Sequence, residues 1–322
     1  MLVLMSARRK GSPYPMGLLL CIAGVIDAGC AQFAPEETVI TPSAVQFDTG
    51  FIRNPLSPVG IPIISQKDSG HEVARFAIDT GSQGTILSEE FAAQANCRPR
   101  CTLPYSVVDA NGDRTESIGV VRIDKLRFEA AKGDVVFHEF DAIVARTPFF
   151  KSDIAGILGA PVFSQCAFSI NFAEKTLLIT SDELDQEMPH AVPIRVSRGL
   201  IYLPIELQGE RHWALLDTGS NGFLEVPEET WTSLPSMEWL SEGRTYGSTF
   251  GQGFVSKFSQ LDGSVFIAGQ EIRDPFVTSN RKGEFIVGSG LLQNLVLSVD
   301  QRSQVARLVE ARREAPSGTR ED

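Results

Sequence analysis

Phe76-Ala77-Ile78-Asp79-Thr80-Gly81-Ser82-Gln83-Gly84 returns later in the chain as Ala214-Leu215-Leu216-Asp217-Thr218-Gly219-Ser220-Asn221-Gly222. A shared four-residue word does not establish a repeat; its surroundings do. Ahead of the first copy stand Gly60-Ile61-Pro62-Ile63-Ile64, a polar turn from Ser65 to Gly70, and the run Val73 to Ile78. Ahead of the second stand Ile201-Tyr202-Leu203-Pro204-Ile205, a turn at Gln208-Gly209-Glu210, and Trp213 to Leu216. Each reads as strand, turn, strand. Downstream, Gly156-Ile157-Leu158-Gly159 precedes the apolar runs Phe168 to Phe172 and Thr176 to Ile179. Phe285-Ile286-Val287-Gly288 likewise precedes Leu297 to Asp300 and Val305 to Val309. Both halves therefore share one order: hairpin, Asp-Thr-Gly-Ser, a variable middle, an apolar run ending in Gly, and a closing hairpin. Length differences between them fall in loops, which tolerate it.

Helical periodicity is scarce. Ser88 to Ala95 reads as a short helix capped by Ser88, and Pro227 to Leu234 holds the matching place in the second half. The 28 Gly and 18 Pro of the 322 residues also favour short strands and turns. The reading is a mostly β chain of two halves, residues 59–180 and 194–309. An N-terminal segment or linker (32–58), an acidic linker (181–193) and a polar tail (310–322) join and flank them.

Composition sets outer limits. Apolar residues make up 43% and charged residues 21%, as in soluble globular proteins. A formal charge of −11 without a basic stripe past the N-terminus argues against nucleic acid as a partner. The histidines His71, His138, His190 and His212 are scattered, and no Cys-x-x-Cys or His-Glu-x-x-His occurs. Neither metal nor cofactor is expected. Cys97 and Cys101 are spaced to close a small loop, and Cys166 reads as a buried thiol.

The repeated word carries chemistry. An apolar strand delivers Asp79, and another delivers Asp217, into surroundings where a carboxylate needs hydrogen bonds. The following Gly lets backbone N–H groups approach it, and Thr and Ser hydroxyls can orient it. A pseudo-two-fold axis would bring the two carboxyl groups side by side. Such a pair holds one proton over a wide pH range, leaving one group as base and the other as acid.

These motifs resemble the pepsin and retropepsin group of aspartic peptidases, and the half-length is most similar to that of tandem retropepsin-like bacterial proteins. The resemblance spans roughly Val59 to Val309. It implies two retropepsin-like β-barrel halves in a pepsin-like bilobal arrangement, a monomer containing its own pseudo-dimer, and a peptide or protein substrate. It implies that Asp79 and Asp217 form the catalytic dyad and that Thr80 and Thr218 interlock. Ser82 and Ser220 would bond the outer carboxylate oxygens, Gly81 and Gly219 would supply close-approach backbone, and Gly159 and Gly288 would pack beneath the loops. It also implies a flap that closes over substrate. Val107 to Gly112 holds an Asn111-Gly112 turn signal, and Thr245 to Gly253 is the matching Gly-rich stretch with Tyr246 and Gly247. Tyr105 and Tyr246 are the nearby tyrosines, without the family's local pattern around them.

Two other readings stand beside this one. A duplicated β-domain could keep the loops yet serve as a peptide-binding or scaffold protein. Alternatively, Thr80-Gly81-Ser82-Gln83-Gly84 approaches the Gly-x-Ser-x-Gly elbow of serine hydrolases, but lacks its first Gly and a parallel strand-turn-helix context. Residues 1–31 read as an export signal: Arg8, Arg9 and Lys10, then the apolar run Met16 to Ile26, then small residues. The stretch resembles a bacterial lipoprotein signal, implying a lipid anchor on Cys30. Asp27 stands where such signals carry an apolar residue, and ordinary cleavage near Ala31 is the alternative. The expected location is outside the cytoplasm: periplasmic, membrane-anchored or secreted.

Overall fold

The computed structural model describes residues 18–19, 31–54, 57–68, 71–95, 97–101, 106–108, 114–146, 150, 154–220, 222–248, 253–280 and 283–311. The two repeats fold into two sheets of matching topology. In the first, Ser57–Asp68 and His71–Asp79 form the expected antiparallel hairpin. His71–Asp79 runs parallel to Gly156–Gly159, which is antiparallel to Thr85–Ser88, itself parallel to Gly133–Ala145. In the second, the hairpin Leu200–Leu207 and Glu210–Asp217 begins the same series. Glu210–Asp217 runs parallel to Phe285–Gly288, which is antiparallel to Leu224–Pro227, itself parallel to Phe276–Asn280. Each aspartate stands opposite the glycine that ends the apolar motif: Asp79 beside Gly159, Asp217 beside Gly288.

The apolar runs before the aspartates are explained by burial on both faces. Phe76 and Ile78 enter the main core, whereas Ala77 between them joins a second cluster with Ile61, Ile63, Ile86, Ile143 and Ile157. The second half repeats the alternation, with Ala214 and Leu216 in the main core and Leu215 beside Leu200 and Ile286. A run of edge-to-face rings, Phe91–Phe76–Phe128–Phe137–Phe163, links the Asp79 strand to the middle of the molecule at centroid spacings of 5.1, 5.4, 6.2 and 6.0 Å.

A third sheet joins the halves. Its described strands run in the order Ala191–Pro193, Val305–Glu310, Leu295–Asp300, Ala167–Asn171, Thr176–Thr180 and Ala44–Asp48. At its centre Ser169 faces Ser298, and their hydroxyls meet at 2.7 Å. These residues occupy equivalent places in the two halves, so the pseudo-two-fold axis passes through this pair. Small side chains suit that point, because there each residue meets its own counterpart.

The flanking stretches also form strands. Within residues 32–58, Glu37–Thr41 pairs with Gly133–Ala145, and Ala44–Asp48 edges the third sheet. The linker 181–193 ends in the strand Ala191–Pro193, which edges that sheet on the opposite side. The two stretches thus contribute equivalent edge strands. Cys97, whose spacing to Cys101 would permit a small disulfide loop, carries a free thiol. Cys166 is the buried thiol expected, its pKa pushed up to about 12 by burial. The helices hold their places: Glu89–Gln94 is capped by Ser88, whose Oγ accepts from the Phe91 N–H at 3.1 Å, and Glu228–Trp231 is shorter, with Pro227 at its cap. Of residues 1–30, only Leu18–Leu19 is described, as a strand parallel to Gly247–Ser248.

The connection between halves is clamped by one ion pair. The buried carboxylate of Asp300 accepts from the Arg302 side chain at 3.0 Å, from its backbone N–H at 2.9 Å and from the Leu184 N–H at 3.1 Å. Arg302 also donates to the carbonyls of Ser181 and Asp182. Burial works against the charged carboxylate, but these donors outweigh it and hold the Asp300 pKa below the usual range. A depressed pKa makes this contribution complete above the unfolded carboxyl's value of about 4, and lost as pH falls through the lower folded value. In denaturant titrations, the wild type should lose stability below about pH 4 more steeply than Asp300→Asn, which has no such carboxyl to protonate.

Candidate active site

The two Asp-Thr-Gly-Ser loops meet between the halves, and Asp79, Thr80, Ser82, Asp217, Thr218 and Ser220 are all fully buried. Their contact is reciprocal. The Thr80 N–H donates to Thr218 Oγ1 at 3.1 Å, and the Thr218 N–H donates to Thr80 Oγ1 at 3.1 Å. Each hydroxyl then donates across the axis to the strand that carries the opposite aspartate: Thr80 to the Leu216 carbonyl and Thr218 to the Ile78 carbonyl, both at 2.8 Å. The side chain of each threonine is thereby satisfied by the other half.

Gly81 touches both carboxyl groups. Its N–H donates to Asp79 Oδ1 at 2.9 Å. A Cβ on Gly81 would lie 2.6 Å from Cγ of Asp217, and 2.7 and 3.0 Å from its two oxygens. The two aspartates therefore approach on either side of a single glycine, and no larger residue fits there. Asp217 Oδ1 accepts from the Ser220 N–H at 2.9 Å. Beneath the loops, a Cβ on Gly159 would sit 2.5 Å from the Gly84 carbonyl oxygen, and one on Gly288 would sit 2.4 Å from that of Gly222. Both glycines are required by the backbone pressed against them. Ser289 adds a bond from its hydroxyl to the Ser220 carbonyl at 2.7 Å.

The serine hydroxyls depart from expectation. Ser82 Oγ donates to the Gly84 carbonyl at 2.7 Å rather than to a carboxylate. Ser220 Oγ accepts from the Gly222 N–H at 3.1 Å and lies 3.4 Å from Oε1 of Glu225. A buried hydroxyl committed to its own loop is a brace, not a nucleophile, which counts against the serine-elbow reading. Gly219 occupies the buried turn matching that of Gly81.

The flap candidates are described only in part. Ser106–Val108 pairs with the start of Arg114–Ala130, with Val108 opposite Arg114. That is the expected hairpin, but Tyr105 and its turn with Asn111 and Gly112 lie outside the described residues. In the second half Ser236–Ser248 pairs with Gly253–Leu261, placing Tyr246 opposite Phe254 and Gly247 opposite Gly253.

Glu225 is the site residue that sequence reading missed. It is almost fully buried one hydrogen bond behind the Asp217 loop. Its signal was available: a lone acid within the apolar strand Leu224–Pro227. Among the described residues no cluster of three or more His, Cys, Asp or Glu is arranged to hold a metal ion.

Residues 66–162 match the family model described as aspartyl protease. That span holds the Asp79 loop, the Ser106–Val108 strand and Gly159. No curated protein matches the chain significantly. Similar solved structures include conglutin gamma, a basic 7S globulin from lupine seeds, at 12% identity over 83% of this chain and 95% of that one, with a TM-score of 0.49. Basic 7S globulin from soybean is similar at 12% identity over 85% of this chain and 95% of that one, with a TM-score of 0.47.

The threonine exchange is open to a direct test. Thr80→Val keeps the shape but leaves the Thr218 N–H without its acceptor and takes a donor from the Leu216 carbonyl, both buried. The variant should lose about 2–4 kcal/mol of unfolding free energy. Thr80→Ser, which keeps the hydroxyl, should lose about 1 kcal/mol or less, both measured by chemical denaturation.

Proposed function

We propose that this protein is an aspartic endopeptidase in which Asp79 and Asp217 activate one water for attack on a peptide bond. The observation that carries this reading is Gly81, whose N–H bonds one carboxyl group while a Cβ placed on it would collide with the other. Two buried carboxyl groups this close cannot both ionise readily, so they share one proton, as in aspartic proteases generally. The ionised member takes a proton from water as the water oxygen bonds to the carbonyl carbon. The protonated member gives its proton to the carbonyl oxygen. Collapse of the tetrahedral species, with a proton passed to the nitrogen, breaks the C–N bond. The rigid loops hold both groups in place without reorganisation.

The proposed substrate is a peptide or protein in extended form, admitted beneath the two hairpins that flank the loops. The proposed setting is outside the cytoplasm, from the order of charge, apolar run and small residues in 1–31. Cys30, the candidate lipidation site, lies outside the described residues. The matching family model lies within the first half and contains its Asp-Thr-Gly-Ser loop, and the identity of both loops supports extending its chemistry to the second.

Cleavage of an unfolded protein or peptide library, followed from about pH 3 to 8, tests the proposal. Wild type should cleave, and an aspartate-directed inhibitor should stop it. Asp79→Asn and Asp217→Asn should each lower kcat by at least about a thousandfold, because each removes a proton-transfer partner. Peptide binding without cleavage by wild type would replace this reading with that of a duplicated binding domain. Cleavage that survives both substitutions would overturn the dyad.

A further inference from the structure

We infer that Gln32 and Phe33 form a positioning element for the Asp79 loop, with Phe33 as the positioning residue and Asp141 as its anchor. The inference deepens the proposed activity and rests on that reading where it concerns turnover.

The anchor is built at two points. The Gln32 N–H donates to Oδ2 of Asp141 at 2.7 Å, and the Gln32 carbonyl accepts from the Asp141 N–H at 2.7 Å. Asp141 is fully buried and lies in the strand Gly133–Ala145, which neighbours Thr85–Ser88 just past the catalytic loop. Arg122 reaches the other oxygen of Asp141 at 3.4 Å and also holds Glu139 and Glu36, so the segment is gripped at both ends. The Glu36 N–H bonds the His138 carbonyl at 3.0 Å.

This grip delivers Phe33 to the back of the loop. A Cβ on Gly84 would lie 2.8 Å from the Phe33 ring, so ring and loop backbone are in direct contact. The ring also closes the cluster of Ile61, Ile63, Ala77, Ile86 and Ile157 that lines one face of the Asp79 strand. Gly84 is the residue whose carbonyl accepts the Ser82 hydroxyl's hydrogen bond, and the Ser82 carbonyl in turn accepts from the Ala160 N–H. Phe33 thus presses on the residue whose carbonyl ties the Ser82 side chain back into the loop. Among the described residues, the second loop has no such contact. A Cβ on Gly222 would meet the Ser220 hydroxyl and Glu225 instead. The element therefore supports one aspartate loop and not the other, which a general packing role would not do.

Amide hydrogen exchange on the full chain, resolved to the two loops, tests the inference independently of catalysis. In Phe33→Ala, amides of Thr80 to Gly84 should exchange at least about tenfold faster, while those of Thr218 to Gly222 should change by less than about twofold. Phe33→Leu should show a smaller effect with the same confinement, and carries the comparison if Phe33→Ala does not fold. On a cleavable substrate, kcat should fall about tenfold with KM within about twofold. Equal acceleration in both loops would mean a plain stability role and overturn the inference, as would no change in either. Absence of turnover in wild type would defeat the proposed activity, whereas the exchange pattern would still decide the role of Phe33.

Discussion

The reciprocal exchange between Thr80 and Thr218 is the constraint on which the rest of the molecule depends. Each threonine spends its donor and its acceptor capacity on the opposite half. These groups are buried, where a missing partner is expensive and no water replaces it. Neither loop is therefore complete alone. The two sheets must be present together, at one fixed separation, before either aspartate is held in place. The central sheet, with Ser169 against Ser298 on the axis, supplies that separation from the other end of the molecule.

Around this symmetric centre the surroundings differ. Leu87, three residues past Gly84, packs in the apolar core, whereas Glu225, three residues past Gly222, reaches the Ser220 hydroxyl. Phe33 backs the first loop and, among the described residues, not the second. Identical words thus sit in unequal environments. A dyad in which one carboxyl group is base and the other acid benefits from such inequality, since it separates two groups that would otherwise share the proton evenly.

The clamp at Asp300 and Arg302 addresses a different problem. A chain that folds as two similar halves must still bring them together in one register. By gripping Ser181, Asp182 and Leu184, the closing strand of the second half holds the connecting segment against the shared sheet. What looks in sequence like a spacer is part of the joint.

The sequence by itself determined the repeat, the strand character of its flanks and both aspartates, because these rest on local pattern. An apolar run, a glycine that must pass close to backbone, and a cap at Ser88 are each read within a few residues. Tertiary structure alone decided where the hydroxyl protons go. Ser82 turned to the Gly84 carbonyl because that acceptor lies within the loop's own fold, a matter of backbone path that residue type does not encode. It alone made Ala44–Asp48 and Ala191–Pro193 edge strands, since stretches this short become strands only when a partner edge is offered. And it alone placed Phe33 and Asp141 beside a loop far along the chain, through contacts whose sequence separation leaves no local signature.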